Sequence, residues 1–172
     1  MSEDAAEDPI ESRVGKALRE TEATVAVAES CTGGLIGSLL TDVPGSSDYF
    51  DRSVVTYSYD AKRDVLAVNR ETLDEVGAVS EPVARQMAQA VRDTANTTWG
   101  IATTGVAGPT GGSDETPVGT AYIGVAYAAP WGSGDSTTTV ARYEFDGDRT
   151  TVKRHIAEQA LADLLDAVET RR

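Results

Sequence analysis

The sequence predicts an α/β protein, a three-layer α/β/α sandwich built on a mixed sheet. Three observations carry that prediction. Segments with helical spacing alternate with short apolar runs of strand length through the first two thirds of the chain. Two strand-like segments then follow with only a turn between them, as an antiparallel hairpin requires, so the sheet is mixed. The chain has 172 residues, 40% of them hydrophobic, which suits one domain with its own core.

The elements read as follows. Residues 1–8 are expected to be an acidic disordered tail, and 9–172 a single domain. Residues 9–20 form an amphipathic helix, with Ile10, Val14, Ala17 and Leu18 on one side. The run ATVAVA, 23–28, is apolar on both faces and reads as a central buried strand. Residues 33–41 look helical, and VPGSSDYF is a loop. RSVVTYSY, 52–59, is a second strand, followed by a short helix from about Asp60. Residues 80–96 form a helix, with Ser80 as N-cap, Pro82 in the first turn, and Val83, Met87 and Val91 at helical spacing. TWGIATTG, 98–105, is a strand, and 108–119 is a glycine- and proline-rich loop. Residues 120–128 and 136–145 pair as strands across APWGSGD. The last helix runs from about Asp148 to Thr170, with Val152, Ile156, Leu161, Leu164, Leu165 and Val168 on its apolar face.

Composition narrows the function classes. The formal net charge is −13, with 28 acidic residues against only three lysines, Lys16, Lys62 and Lys153. Such a chain repels phosphate backbones at long range, so a nucleic-acid partner is not expected. An acidic, lysine-poor surface suits work in high salt, where self-repulsion is screened. No apolar stretch reaches the length of a membrane span, and the acidic N-terminus lacks a secretory core, so a cytoplasmic protein is expected. One cysteine, Cys31, and one histidine, His155, give no basis for a disulfide or a Cys/His metal site, and no metal or cofactor is expected.

The stretch AVAESCTGG, 26–34, holds the first candidate chemistry. A strand, a tight turn of small residues and a helix present side chains at the carboxyl edge of a sheet, where open α/β folds bind ligands. Ser30 stands at that edge. Gly33 and Gly34 allow close backbone approach, and the following helix offers N–H groups for an anion or an oxyanion. The competing role for Ser30 is that of a helix N-cap. A serine nucleophile needs a base. His155 falls on the polar flank of the last helix beside Gln159, the place of a solvated histidine. A Ser-Lys arrangement is the alternative, and Lys62 follows the second strand. Partial burial would lower its pKa into a useful range; the competing role is an ordinary surface lysine. Cys31, adjacent to Ser30, would face the other way along a strand, into the core, as a small buried filler. TTGVAGPTGG, 103–112, is either a second ligand loop or a connection.

Taken in order, AESCTGG, VPGSSDYFDRSVVTYSYDAK, GAVSEPVARQMA, TTGVAGPTGG, PVGTAYIGVA and FDGDRTTVKRHIAEQAL resemble the CinA C-terminal domain family of nicotinamide-nucleotide amidohydrolases, the NMN deamidases. The set covers nearly all of the chain after the acidic tail. The resemblance implies hydrolysis of the carboxamide of nicotinamide mononucleotide to nicotinate mononucleotide and ammonia, in pyridine-nucleotide salvage, by a homo-oligomer. It implies that Ser30 is the nucleophile, Lys62 its catalytic partner, and Tyr57 a proton carrier or positioning group. It also places Thr32, Gly33, Gly34, Ser47, Thr104, Gly105 and Arg149 in the substrate-binding set, with Arg149 suited to a phosphate. The alternatives are a non-catalytic nucleotide-binding module on the same fold and an amidase acting on another small amide.

Overall fold

The computed structural model describes residues 7–172. The expected acidic tail therefore lies mostly outside the described residues; Glu7 and Asp8 are exposed, and Glu7 pairs with Arg13 at 2.8 Å. The described elements are α1 (Ile10–Glu20), β1 (Val25–Glu29), α2 (Leu35–Thr41), a 3-10 turn (Ser46–Asp48), β2 (Phe50–Val55), α3 (Tyr59–Leu66), α4 (Arg70–Val76), α5 (Glu81–Ala95), β3 (Trp99–Gly105), β4 (Thr120–Tyr127), β5 (Thr137–Glu144) and α6 (Arg149–Thr170).

The sheet order is β2-β1-β3-β4-β5. β1 pairs in parallel with both β2 and β3, whereas β4 runs antiparallel to β3 and to β5. The predicted mixed sheet is thus present, with the apolar strand β1 inside it and buried along its whole length.

Strand alternation splits the core into two layers. Val25, Val27, Ile101, Ile123 and Val125 face α1, α2 and α6, meeting Leu18, Ile36, Leu40, Ile156 and Leu161. Ala26, Ala28, Ala102 and Ala126 face the other way, toward Leu66, Leu73, Val83, Met87 and Val91 of the α3–α5 layer. Small residues on that second face let α5 lie close to the sheet. A Cβ on Gly100 would collide with the Ala88 carbonyl oxygen, and one on Gly124 would come within 2.8 Å of the Ala84 oxygen.

Two expectations need correction. The second strand does not run over 52–59 but ends at Val55. Ser58 caps α3 instead, its hydroxyl accepting from the Ala61 N–H at 3.0 Å, so the chain turns out of the sheet after Thr56. Residues 67–79, to which the sequence reading assigns no element, hold α4, capped by Asn69 through the Thr72 N–H at 3.0 Å.

Topology decides which residues can meet. β1, β2 and β3 are parallel, so their carboxyl ends share one sheet edge. Two antiparallel steps bring the end of β5 back to the same edge, with Thr120 opposite Glu144 and Gly105 opposite Ala121. α6 therefore starts beside the turn that follows β1.

Candidate active site

Ser30 is the first residue beyond β1. Its N–H bonds to the Thr103 oxygen at 3.1 Å, which ties the turn to β3. Gly33 and Gly34 follow with φ of 60° and 101°, a left-handed region that side chains other than glycine rarely occupy. For that reason α2 starts at Leu35 rather than at residue 33, and Ser30 caps no helix. The capping group is Glu29. Its fully buried carboxylate accepts from the N–H groups of Ile36 (2.9 Å) and Gly37 (3.1 Å) and from the hydroxyls of Thr32 (2.7 Å) and Ser53 (2.6 Å). These bonds fix the turn that presents Ser30.

Lys62, on α3, is only 1% exposed. Its Nζ lies 2.8 Å from Ser30 Oγ. It also donates to the backbone oxygens of Thr56 (2.7 Å) and Tyr57 (3.1 Å), both in the stretch where the chain leaves the sheet. Burial draws the Lys62 pKa down from 10.5 to about 8, opposed by a smaller upward pull from the neighbouring Cys31. A neutral amine here keeps two N–H bonds to the carbonyls and turns its lone pair to the Ser30 hydroxyl. That is the arrangement of a base poised on a nucleophile.

The remaining candidates sort by what they touch. Cys31 packs into the core on the α1/α2/α6 side, and burial pushes its thiol up to about 12, which leaves it unreactive. His155 is exposed on α6, tilted against Phe145 with ring centroids 5.9 Å apart. Tyr57 contributes its carbonyl oxygen to Lys62, while its phenol accepts from Arg149 Nη2 at 3.1 Å. The phenol makes no hydrogen bond to Ser30 or Lys62, and Lys62 reaches Ser30 directly. Arg149 also donates to the Gly108 oxygen at 2.6 Å, so it links the β2–α3 turn to the glycine-rich loop.

Thr32 spends its hydroxyl on Glu29 and Thr103, the latter at 2.9 Å. Thr104 donates to the Ala78 oxygen at 2.8 Å. Gly105 serves strand packing, since a Cβ there would lie 2.6 Å from the Thr120 oxygen. The side chains of Thr32 and Thr104 are thus engaged within the protein. Ser47 lies apart. It sits in the 3-10 turn that enters β2, at the opposite edge of the sheet from Ser30, and within one chain it does not join the site.

The helix N–H groups expected to receive an anion are also taken: those of Ile36 and Gly37 serve Glu29. The Gly33 N–H bonds to the Ser30 oxygen at 3.1 Å. Among the described residues the N–H groups of Cys31, Thr32 and Gly34 meet no backbone acceptor, so the turn keeps donors of the kind an oxyanion needs. Tyr59, at the start of α3, accepts from the Ala78 N–H at 3.2 Å and borders a groove of about 600 Å³ with Gly77, Ser80, Thr116 and Tyr122. Among the described residues no group of three His, Cys, Asp or Glu side chains is placed to hold a metal ion, and no helix is long and apolar enough to cross a membrane.

The sequence singled out Ser30 and Lys62 but not Glu29. An acidic residue closing an otherwise apolar strand, seven and eight residues before the helix N–H groups it accepts from, is the signal that could have found it.

Comparison with known proteins agrees with this architecture. The sequence model of the CinA C-terminal domain matches residues 7–168. A CinA-like protein of Desulforapulum autotrophicum is 52% identical over 156 residues, covering 90% of this chain and 35% of that protein. One from Salinibacter ruber is 49% identical over 154 residues, covering 90% and 36%. The chain thus spans about a third of the length of these curated relatives. Among solved structures, a competence-damaged protein (CinA) superfamily protein from Klebsiella pneumoniae superposes with a TM-score of 0.86 at 34% identity, covering 94% of this chain and 96% of that one. The competence/damage inducible protein CihA from Agrobacterium tumefaciens gives 0.85 at 37% identity, covering 93% of each. With its matching model spanning nearly the whole sequence and its fold shared, the chain belongs to the CinA C-terminal domain family.

Proposed function

We propose that the protein is an amidohydrolase that releases ammonia from the carboxamide of nicotinamide mononucleotide through a Ser30 acyl-enzyme. One observation carries the reading: the buried Lys62 amine, 2.8 Å from the Ser30 hydroxyl and held by two backbone carbonyls. A lysine that only solvates a surface has no reason to sit there. Burial penalises the ammonium and so favours the neutral amine, the form a base needs.

The chemistry follows from the geometry. Ser30 Oγ attacks the amide carbon as its proton passes to Lys62 Nζ. The carbonyl oxygen becomes an oxyanion facing the N–H groups that the turn keeps free. Lys62, now an ammonium, returns the proton to the leaving nitrogen, and ammonia departs. A water molecule then gives its proton to Lys62 and attacks the acyl carbon. The nicotinate product leaves, and Ser30 regains its hydrogen from Lys62. Glu29 takes no part in proton transfer; it holds the turn.

The test is ammonia release from nicotinamide mononucleotide by the purified protein in high-salt buffer, with Ser30→Ala beside it. Release by the wild type that falls by at least about a thousandfold in Ser30→Ala is the expected outcome. A variant that keeps wild-type turnover removes Ser30 from the mechanism. A well-folded wild type that binds the nucleotide without releasing ammonia would make the site a binding module.

A further inference from the structure

Lys62 rides on a weakly anchored part of the molecule. α3 has eight residues and buries only Lys62 and Leu66, and α4 after it buries only Leu73. Apolar burial therefore does little to fix where the first turn of α3 stands. The amine cannot fix it alone. Burial penalises its charged form, and a long flexible stem lets it swing out to water when its helix shifts. The seat of the helix thus depends on polar ties made elsewhere along it.

Tyr59 makes such a tie. It is the first residue of α3, three positions before Lys62, and its phenol oxygen accepts from the Ala78 N–H at 3.2 Å. Ala78 lies between α4 and α5, and its own oxygen accepts from Thr104 Oγ1 on β3 at 2.8 Å. One residue thus joins α3 to the central sheet. Thr104 follows Thr103, whose oxygen holds the Ser30 N–H at 3.1 Å. The links close a ring: Lys62 to Ser30, Ser30 to β3, β3 to Ala78, Ala78 to Tyr59, and Tyr59 back along α3 to Lys62. Among the described residues, Tyr59 and Lys62 are the side chains of α3 that hydrogen-bond outside the helix. The phenol lies close over the loop before α5, since a Cβ built on Gly77 would meet its oxygen at 3.7 Å. Tyr59 is half exposed, so its contribution to the core is small and the hydrogen bond is its distinctive contact.

We propose that Tyr59 is a positioning residue: its bond to Ala78 seats the start of α3 and so holds the Lys62 amine against Ser30. The kinetic consequence rests on the amidohydrolase reading; the seating of the helix does not. Tyr59 bonds to neither Ser30 nor the Lys62 amine, so it acts through the helix that carries the base. With the bond lost, α3 visits outward positions more often, and Lys62 spends more time in water and away from the hydroxyl.

The experiment reads the seat and the chemistry separately, in the wild type, Tyr59→Phe, Tyr59→Ala and Tyr143→Phe. The last removes a phenol bond to Asp163 between β5 and α6, away from α3, and controls for general loosening. A short exposure to acetic anhydride, followed by peptide mass measurement, gives acetylation of Lys62 relative to the exposed Lys16 of the same molecules. Lys62 is 1% exposed, so it reacts when α3 moves out. In Tyr59→Phe that ratio should rise about 3- to 10-fold, the effect of one hydrogen bond on an opening equilibrium. Tyr59→Ala should raise it at least as much, and Tyr143→Phe should leave it unchanged. On nicotinamide mononucleotide, kcat should fall about 3- to 10-fold in Tyr59→Phe while KM stays within about twofold. A rise in Lys62 labelling below about threefold in both Tyr59 variants overturns the proposal, whatever the activity. An equal rise in Tyr143→Phe overturns it too, because general loosening would explain the result. Raised labelling with an unchanged kcat in an active enzyme removes the positioning role. If the wild type releases no ammonia, the amidohydrolase reading fails, and the labelling alone decides whether Tyr59 seats α3.

Discussion

Lys62 Nζ has three acceptors around it, and their chemistry differs. The Thr56 and Tyr57 oxygens accept only, whereas the Ser30 hydroxyl can accept or donate. Protonated Lys62 satisfies all three by donating. Neutral Lys62 satisfies the carbonyls and accepts from Ser30, so losing one proton converts the pair to its reactive form without moving a heavy atom. Burial sets that loss at about pH 8. The sign is fixed: the base is the neutral amine, which is favoured as pH rises. We therefore expect kcat/KM to climb about tenfold per pH unit below pH 8 and to level off above it. Lys62→Arg keeps the positive charge but cannot lose it in this range, and turnover should drop at least about a hundredfold with no rising limb near 8. A profile flat from pH 6 to 9 would exclude Lys62 as the base. The sequence made Ser30 and Lys62 legible as candidates because a hydroxyl and an amine are the side-chain types the proposed chemistry needs. It could not show the carbonyls of Thr56 and Tyr57, since every residue type carries one. Nor could it show that Tyr57 acts toward Lys62 through its backbone while its phenol goes to Arg149.

At the scale of elements, strand order does the assembling. The two antiparallel steps through β4 and β5 return the chain to the edge where β1 ends, and only then can α6 set Arg149 beside Tyr57, 92 positions earlier, and Lys153 beside Gly33, 120 positions earlier. Helical and apolar periodicity showed each of these elements and the hairpin. Periodicity does not contain strand order, so Arg149 entered only through family resemblance. The end of β2 was misread because TYSY keeps strand-like composition while Ser58 already caps α3. α4 escaped because only Leu73 of its seven residues is buried, too little for a pattern. The close seat of α5 was equally hidden, since Gly100 looks like any glycine in a strand until Ala88 lies over it. Gly100→Ala should cost about 1–3 kcal/mol, because the obstacle is a helix backbone oxygen that no rotamer change can move. A urea titration should show a lower midpoint with an unchanged slope. An unshifted midpoint would mean that α5 has room to lift away.

At the scale of the whole molecule, the charge balance acts in two ways that respond differently to salt. The net charge of −13 produces repulsion among carboxylates spread over the surface. The ten Arg–carboxylate pairs among the described residues act at contact; the longest of these is Arg63–Asp60 at 3.8 Å. The Debye length falls from about 10 Å at 0.1 M salt to about 3 Å at 1 M. Repulsion over tens of ångströms is therefore removed almost entirely, while contact pairs lose only part of an attraction that is small for exposed groups, about 0–1 kcal/mol each. Repulsion is the larger quantity here, with 28 acidic groups against 15 basic ones. Salt should stabilise the fold. Raising KCl from 0.1 to 1 M should lift the thermal midpoint by roughly 5 °C, the equivalent of 1–2 kcal/mol for a chain of this size. Potassium chloride is the right salt because a strongly excluded anion such as sulfate would stabilise any protein. Screening also predicts the shape of the curve. Most of the gain belongs to the first few tenths molar, where the Debye length changes fastest, and a gain that grew in proportion to concentration would instead signal a general salt effect. A midpoint that stayed level or fell would mean that the contact pairs outweigh the repulsion, and that the excess acid on this surface is too far apart, or too well hydrated, to oppose folding.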